Sequence, residues 1–374
     1  MSLYSLHPIE LQLIAQFLPV REILSFARRC RFTLAALDSP FAFQCDPLKF
    51  ETKNSLPGAF SPDRRLMRHV QVSLVWSCPS SPARSFSCLP SDVDDLLALA
   101  LPAAGVVSLD VSDWLIVSSA VSERVLSSPC MRHLRELRGS DGWLLSPAAL
   151  GTAAALSGLQ RLQLSDVRWD SLGALERFPC LAELDLTCFP EQTVSQIPCL
   201  PPLISLRSLR LDYPLFNGRS WLPFWSAVSG VVSVSIGNWD YGPNQPAAES
   251  AIPNEDFVAA FRSLKRMRSF MLVNMSGVNR VFSHLSHAPA LTHVHLLIYC
   301  ENCGPLDQAN CCPSPAAVRS LLVAVPALTI SMTIETSDNR LSDRQRAEEW
   351  QSVYDDERAE FGQRLQIEAT AMLC

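Results

Sequence analysis

The chain has 374 residues, of which 48% are hydrophobic and 18% charged, so it can bury a large core and is not a disordered polypeptide. Its net charge of -6 excludes a dedicated nucleic-acid binder, which needs a basic face to neutralise a phosphate backbone. Thirteen scattered cysteines, an odd number with no regular framework, and an N-terminus without a basic, cleavable leader point to a reducing compartment, cytoplasmic or nuclear.

In chain order, the first predicted element is a compact helical head. Pro8 suits the first turn of a helix, and Ile9, Leu13, Ile14, Phe17 and Leu18 then recur at helical spacing until Pro19 ends it. A second helix carries Ile23, Leu24, Phe26, Ala27 and Cys30 on its apolar face, and a short third turn stops before Pro40. Forty residues in three short helices are too few to supply a stable core of their own. They either cap whatever follows or lean on another molecule.

A repeat follows. An L-x-x-L-x-L core recurs as VVSLDV from Val106, LRELRG from Leu134, LQRLQL from Leu159, LAELDL from Leu181, LRSLRL from Leu206, VVSVSI from Val231, MRSFML from Met267 and LTHVHL from Leu291. The starts lie 22 to 36 residues apart, within or just beyond the leucine-rich-repeat range. MRHVQV from Met67 and LTISMTI from Leu328 extend the set to nine or ten strands. Helical patterns lie between several of them: DVDDLLALAL from Asp92, PAALGTAAALSGL from Pro147, SLGALERF from Ser171, EDFVAAFRSLKRM from Glu255, VNRVFSHLSHA from Val278 and PAAVRSLLVAV from Pro315. Ser220 to Trp239 runs without a charge, yet its glycines, serines and proline and the alternation of VVSVSI read as a helix end plus a strand, not a membrane span. From Thr336 the composition turns polar, and Ser342 onward reads as one helix with Trp350, Tyr354, Phe361, Leu365 and Met372 at helical intervals, covering the end of the repeat.

The expected fold is therefore α/β: a three-helix module (1–45), a linker (46–65), an irregular leucine-rich-repeat solenoid with parallel strands on its concave face (66–336) and a C-terminal capping helix (337–374). The alternative is another α/β fold with parallel strands. Residues between the strand leucines face away from the core, onto the natural binding surface. The candidates there are Arg138, Arg161, Gln163, Glu183, Asp185, Arg210, Asp212, His293 and His295, with Arg138, Arg161 and Arg210 placed to read a phosphate. Trp169, Phe189, Tyr213, Trp239 and Tyr241 follow the strands as rim aromatics that either anchor a partner or fill space beneath the turns.

Cys300, Cys303, Cys311 and Cys312, with four histidines upstream, raise a zinc site, but adjacent cysteines rarely serve one ion; free thiols, with no metal and no cofactor, are expected. No glycine-rich phosphate loop, nucleophile elbow or H-E-x-x-H motif is present, so catalysis is not expected.

The segment Pro8 to Phe43 resembles the F-box, whose pattern opens with Leu-Pro-x-Glu-Leu, continues through an apolar helix into Leu-Pro and closes on an Ala-rich, Cys-containing helix. Pro8, Glu10, Leu11, Ile14, Leu18, Pro19, Ile23, Leu24, Ala27, Cys30 and Arg31 fall in register with it. His7 replaces the usual leading Leu, and no Trp follows Cys30. The resemblance implies that Pro8, Ile9, Glu10, Leu11, Ile14, Leu18, Pro19, Ile23 and Leu24 dock a Skp-type adaptor, and through it a cullin scaffold, while the repeat binds an unknown protein substrate. No nucleic acid or membrane is implied. The alternative is a leucine-rich-repeat scaffold without a ubiquitin-ligase link.

Overall fold

The computed structural model describes residues 48–51, 71–75, 105–112, 119–140, 156–167, 172, 175–188, 202–212, 222–237, 254–273, 278–300, 312–336, 345, 348 and 351–371. The helical head, Pro8 to Phe43, lies outside them. The chain divides into two compact units, Met1–Asp166 with Arg177–Leu181, and Val167–Glu176 with Ala182–Cys374.

The first unit holds β1 (Leu48–Glu51), β2 (Gln71–Val75), β3 (Gly105–Asp110), β4 (Glu136–Ser140) and all but the last residue of β5 (Arg161–Val167). Each is parallel to the next. Helix α1 (Ser119–Leu126) and a 3-10 turn (Pro129–His133) connect β3 to β4. The second unit holds β6 (Glu183–Cys188), β7 (Ser208–Asp212), β8 (Ser233–Gly237), β9 (Ser269–Val273), β10 (His293–Cys300), β11 (Thr329–Thr336) and β12 (Leu365–Ala371), again all parallel and paired in chain order. Helices α2 (Leu222–Ala227), α3 (Asn254–Ser263), α4 (Val278–Leu285), α5 (Pro315–Ala324) and α6 (Asp355–Phe361) pack side by side in that order.

The strand leucines do what their period demands. Leu209 and Leu211, Val234 and Ile236, Phe270 and Leu272, and Val294 and Leu296 are each at most 4% exposed. Burying each side chain contributes roughly 1.5–3 kcal/mol. The helices supply the facing layer through Phe224, Phe261 and Phe282, and Phe261 meets Phe270 edge to face with ring centroids 5.4 Å apart. Ser314 caps α5 by accepting the Ala317 N–H at 3.2 Å, and its own N–H donates to Asn279 Oδ1 at 2.6 Å, which fastens α5 to α4.

The turn ahead of each strand is also repeated. The leading apolar residue of the core donates its N–H to a carbonyl three residues back: Leu134 to Met131, Leu159 to Leu156, Leu206 to Leu203, Val231 to Val228, Met267 to Leu264, and Leu291 to Ala288. The next two N–H groups share one carbonyl of the preceding strand's start, as Arg268 and Ser269 share Val232 O. Backbone bonds satisfy most groups in these turns, and side chains add to some carbonyls, as Arg207 does at Ile204 O and Thr292 Oγ1 at Arg268 O.

Three expectations are corrected. The segment 46–65 is not only linker, because β1 adds Leu48 opposite Val72. The second strand's described residues are 71–75, and its core lies further along than MRHVQV: Leu74 stands opposite Leu109, and a bulge after Val72 absorbs the offset. The C-terminal segment is not one helix. Gly362, at φ 57, ends α6, and LQIEATA alternates with period two, so Leu365 and Ile367 bury on the sheet while Gln366 and Glu368 stay exposed.

Candidate interaction face

Side chains that alternate with the buried leucines point to the opposite face of each sheet, where no helix lies among the described residues. Register sorts them into columns. In the first unit Ser108, Glu136 and Arg161 form one column, and Asp110, Arg138 and Gln163 a second. In the second unit the first column is Glu183, Ser208, Ser233, Ser269, His293 and Thr329. The second runs Asp185, Arg210, Ser235, Met271, His295, Ser331 and Gln366.

The nine expected binding residues all fall on the strands as read, and eight have described side chains; Asp212 is placed by its backbone alone, between Thr187 and Gly237. Arg138 directs Nη2 to Glu136 Oε1 at 2.9 Å and lies 4.0 Å from Asp110, and Arg210 Nε lies 3.7 Å from Asp185. Arg161 stands in the Glu136 column rather than beside Arg138. Within each unit, then, acids stand beside the arginines: Glu136 and Asp110 beside Arg138, Glu136 opposite Arg161, and Asp185 beside Arg210. These half-exposed pairs contribute about 0–1 kcal/mol each and fix geometry more than stability.

On β10 the two histidines are held by hydroxyls. His295 Nδ1 lies 2.6 Å from Ser331 Oγ, and His293 Nδ1 lies 2.8 Å from Thr292 Oγ1. Burial lowers the His295 pKa below its ordinary value, against a smaller opposing pull from Glu368. Ser331, Gln366 and Glu368 belong to this face and were missed, although LTISMTI and LQIEATA carry the alternation that places them. In the third column Gly237, Val273 and Leu297 are buried, an apolar stretch between Asp212 on one side and Thr333 and Glu368 on the other.

His284 and His287 stack at 6.2 Å at the end of α4, on the helix side of the sheet, away from His293 and His295. Cys312 is buried, and Cys303 and Cys311 lie outside the described residues. Among the described residues no group of three or more His, Cys, Asp or Glu side chains is placed to hold a metal ion. The rim aromatics Trp169, Phe189, Tyr213, Trp239 and Tyr241 also lie outside them. No described helix is long and apolar enough to cross a membrane.

No protein-family model and no curated protein matches the sequence. Among solved structures, one similar chain comes from a crystal structure of a TLR13-ssRNA13 complex, at 12% identity and a TM-score of 0.29, covering 78% of this chain. This chain spans less than half of that one, 46%. A TM-score that low carries no inference about ligand or activity.

Proposed function

We propose that the protein is an interaction scaffold that recruits a protein target on the polar face of its parallel sheet. One observation carries this reading: residues of alternating charge and hydroxyl character, from Asp185 and Arg210 to His295 and Ser331, stand in fixed register on a backbone ladder. Such a surface matches a polar protein segment and selects it by charge order. The finer reading is that Pro8 to Leu24 docks a Skp-type adaptor, making the chain the substrate-recruiting adaptor of a Skp-cullin-F-box ubiquitin ligase. It rests on the F-box resemblance. The mechanism is proximity: holding the target beside a charged conjugating enzyme raises effective concentration, and no residue of this chain performs bond chemistry.

Co-expression of the full chain with a Skp adaptor and its cullin tests the finer reading. The complex is expected to co-purify, and Ile9→Asp with Leu18→Asp to abolish it without shifting the melting temperature of the repeat. A folded full-length chain that retains no Skp adaptor removes the ligase link and leaves the scaffold. The scaffold reading fails in turn if Arg138→Glu with Arg210→Glu leaves the proximity-labelling profile in cells unchanged.

A further inference from the structure

A second surface stands apart from that face. In the second unit, the edge where the strands begin carries a concentration of cations in and around the turn from α3 into β9. Arg262 lies in the last turn of α3, and Lys265, Arg266 and Arg268 follow within six residues. All four are exposed. None forms an ion pair or a side-chain hydrogen bond among the described residues, whereas Arg138, Arg210 and Arg319 elsewhere each lie beside carboxylates. A chain with a net charge of -6 and only three lysines has placed one of them here.

The turn displaying these charges is fixed. Leu264 and Met267 are buried, Met267 N–H donates to Leu264 O, and Lys265 N–H donates to Ser263 O, so Lys265, Arg266 and Arg268 are left pointing outward. Backbone bonds set the neighbours: Arg268 N–H donates to Val232 O, and Thr292 N–H to Arg268 O. The flanking turns offer Ser229, Gly230 and Val232 on one side and His287, Pro289 and Thr292 on the other, with no carboxylate among them. One strand further, Val232 N–H donates to Arg207 O, which puts exposed Arg207 about 10 Å from Arg268 along the edge. Beside Arg207, Ile204 is 78% exposed, and its carbonyl accepts from the Arg207 guanidinium at 3.2 Å. The helix dipole of α3 accounts for Arg262 alone, because its field fades within the last turn.

We propose that this edge docks an acidic peptide segment of a partner protein, with Arg207, Arg262, Lys265, Arg266 and Arg268 opposing a run of carboxylates and Ile204 taking an apolar residue of the same segment. The spread of the cations along the edge suits several separate carboxylates, whereas one phosphoryl group wants donors converging on a point. The flanking turns carry no aromatic side chain for base stacking, which disfavours single-stranded nucleic acid.

The test uses the full chain and a fluorescein-labelled oligoglutamate peptide, read by anisotropy at about 0.05 M and about 0.3 M salt, where screening differs strongly. Binding is expected at low salt and at least about tenfold weaker at high salt. It should be lost in Lys265→Glu, Arg266→Glu, Arg268→Glu, with the melting temperature retained, since these side chains are exposed. Arg132→Glu, at an exposed arginine of the other unit that belongs to neither surface, should bind as the native chain does. Absence of binding at low salt, or undiminished binding in the triple variant, overturns the proposal. So does equal or tighter binding of a single-stranded oligonucleotide of matched charge or of phosphatidylserine vesicles, which would make the edge a nucleic-acid or membrane contact.

Discussion

The hydroxyl of Tyr354 donates to the carbonyl of Pro313 at 2.6 Å, joining positions 41 residues apart in the sequence. Tyr354 is 1% exposed, and burial, reinforced by Cys312 and Glu357, holds its phenol protonated far above the ordinary range. Tyr354→Phe leaves the Pro313 carbonyl buried without this donor, and is expected to cost about 1–2 kcal/mol in urea unfolding. A loss below about 0.3 kcal/mol would mean the bond contributes nothing net.

Arg364 acts on the other end of α5. Its Nη2 donates to Leu322 O at 2.7 Å and Val325 O at 2.9 Å, and its Nε to Leu328 O at 3.0 Å. One guanidinium thus closes carbonyls that the helix cannot satisfy itself. Arg364→Met is expected to destabilise by about 2–3 kcal/mol, and Arg364→Lys to restore less than half of that, because a point charge cannot reach all three oxygens. Hydrogen exchange of the last turn of α5 should accelerate in both.

Gly237 faces Val273 across the β8–β9 ladder, and a Cβ at 237 would collide with Val273 Cβ and stand 2.8 Å from its carbonyl oxygen. Gly237→Ala should cost about 1–3 kcal/mol through overpacking. Val273→Ala should not rescue it, since the obstructing atoms remain in alanine. Full rescue would place the collision on the valine methyls.

Acid should weaken the second unit. His295 and His284 both have pKa values lowered chiefly by burial, and His284 further by His287 and Arg280. The unfolded chain therefore binds protons more readily below about pH 6.5, and stability falls as pH drops through that value toward the depressed folded pKa. Equilibrium unfolding at about pH 7.5 and about pH 5 should show the loss, and His295→Asn with His284→Gln should flatten the slope. An unchanged slope in the double variant would assign the acid sensitivity to other groups.

Strand order and facing were legible because the L-x-x-L-x-L core is a period-two signal anchored by a third apolar residue, and the outward residues at the first two positions of β3 to β10 followed from it; Thr187, Val273 and Leu297, further along, did not. The apolar residue three positions ahead, such as Leu156, Phe178 or Leu264, was equally visible but was absorbed into helix patterns. It forms the tight turn that sets the strand's start. β12 was misread because Tyr354, Phe361 and Leu365 happen to sit at helical intervals, which masked both Gly362 and the alternation after it. The charged edge went unnoticed because SLKRMRS joined a helix pattern to a strand. Only the buried Leu264 and Met267 reveal it as a rigid platform.

β8 and β9 keep residue-for-residue register although residues 238–253 intervene between Gly237 and α3. The ladder is closed by apolar pairs such as Val234 with Phe270 and by backbone bonds at the strand starts, none of which involves that connection. Length there costs little, since loop-closure entropy grows only logarithmically. Lengthening or trimming this stretch should therefore leave the register of β8 and β9 intact.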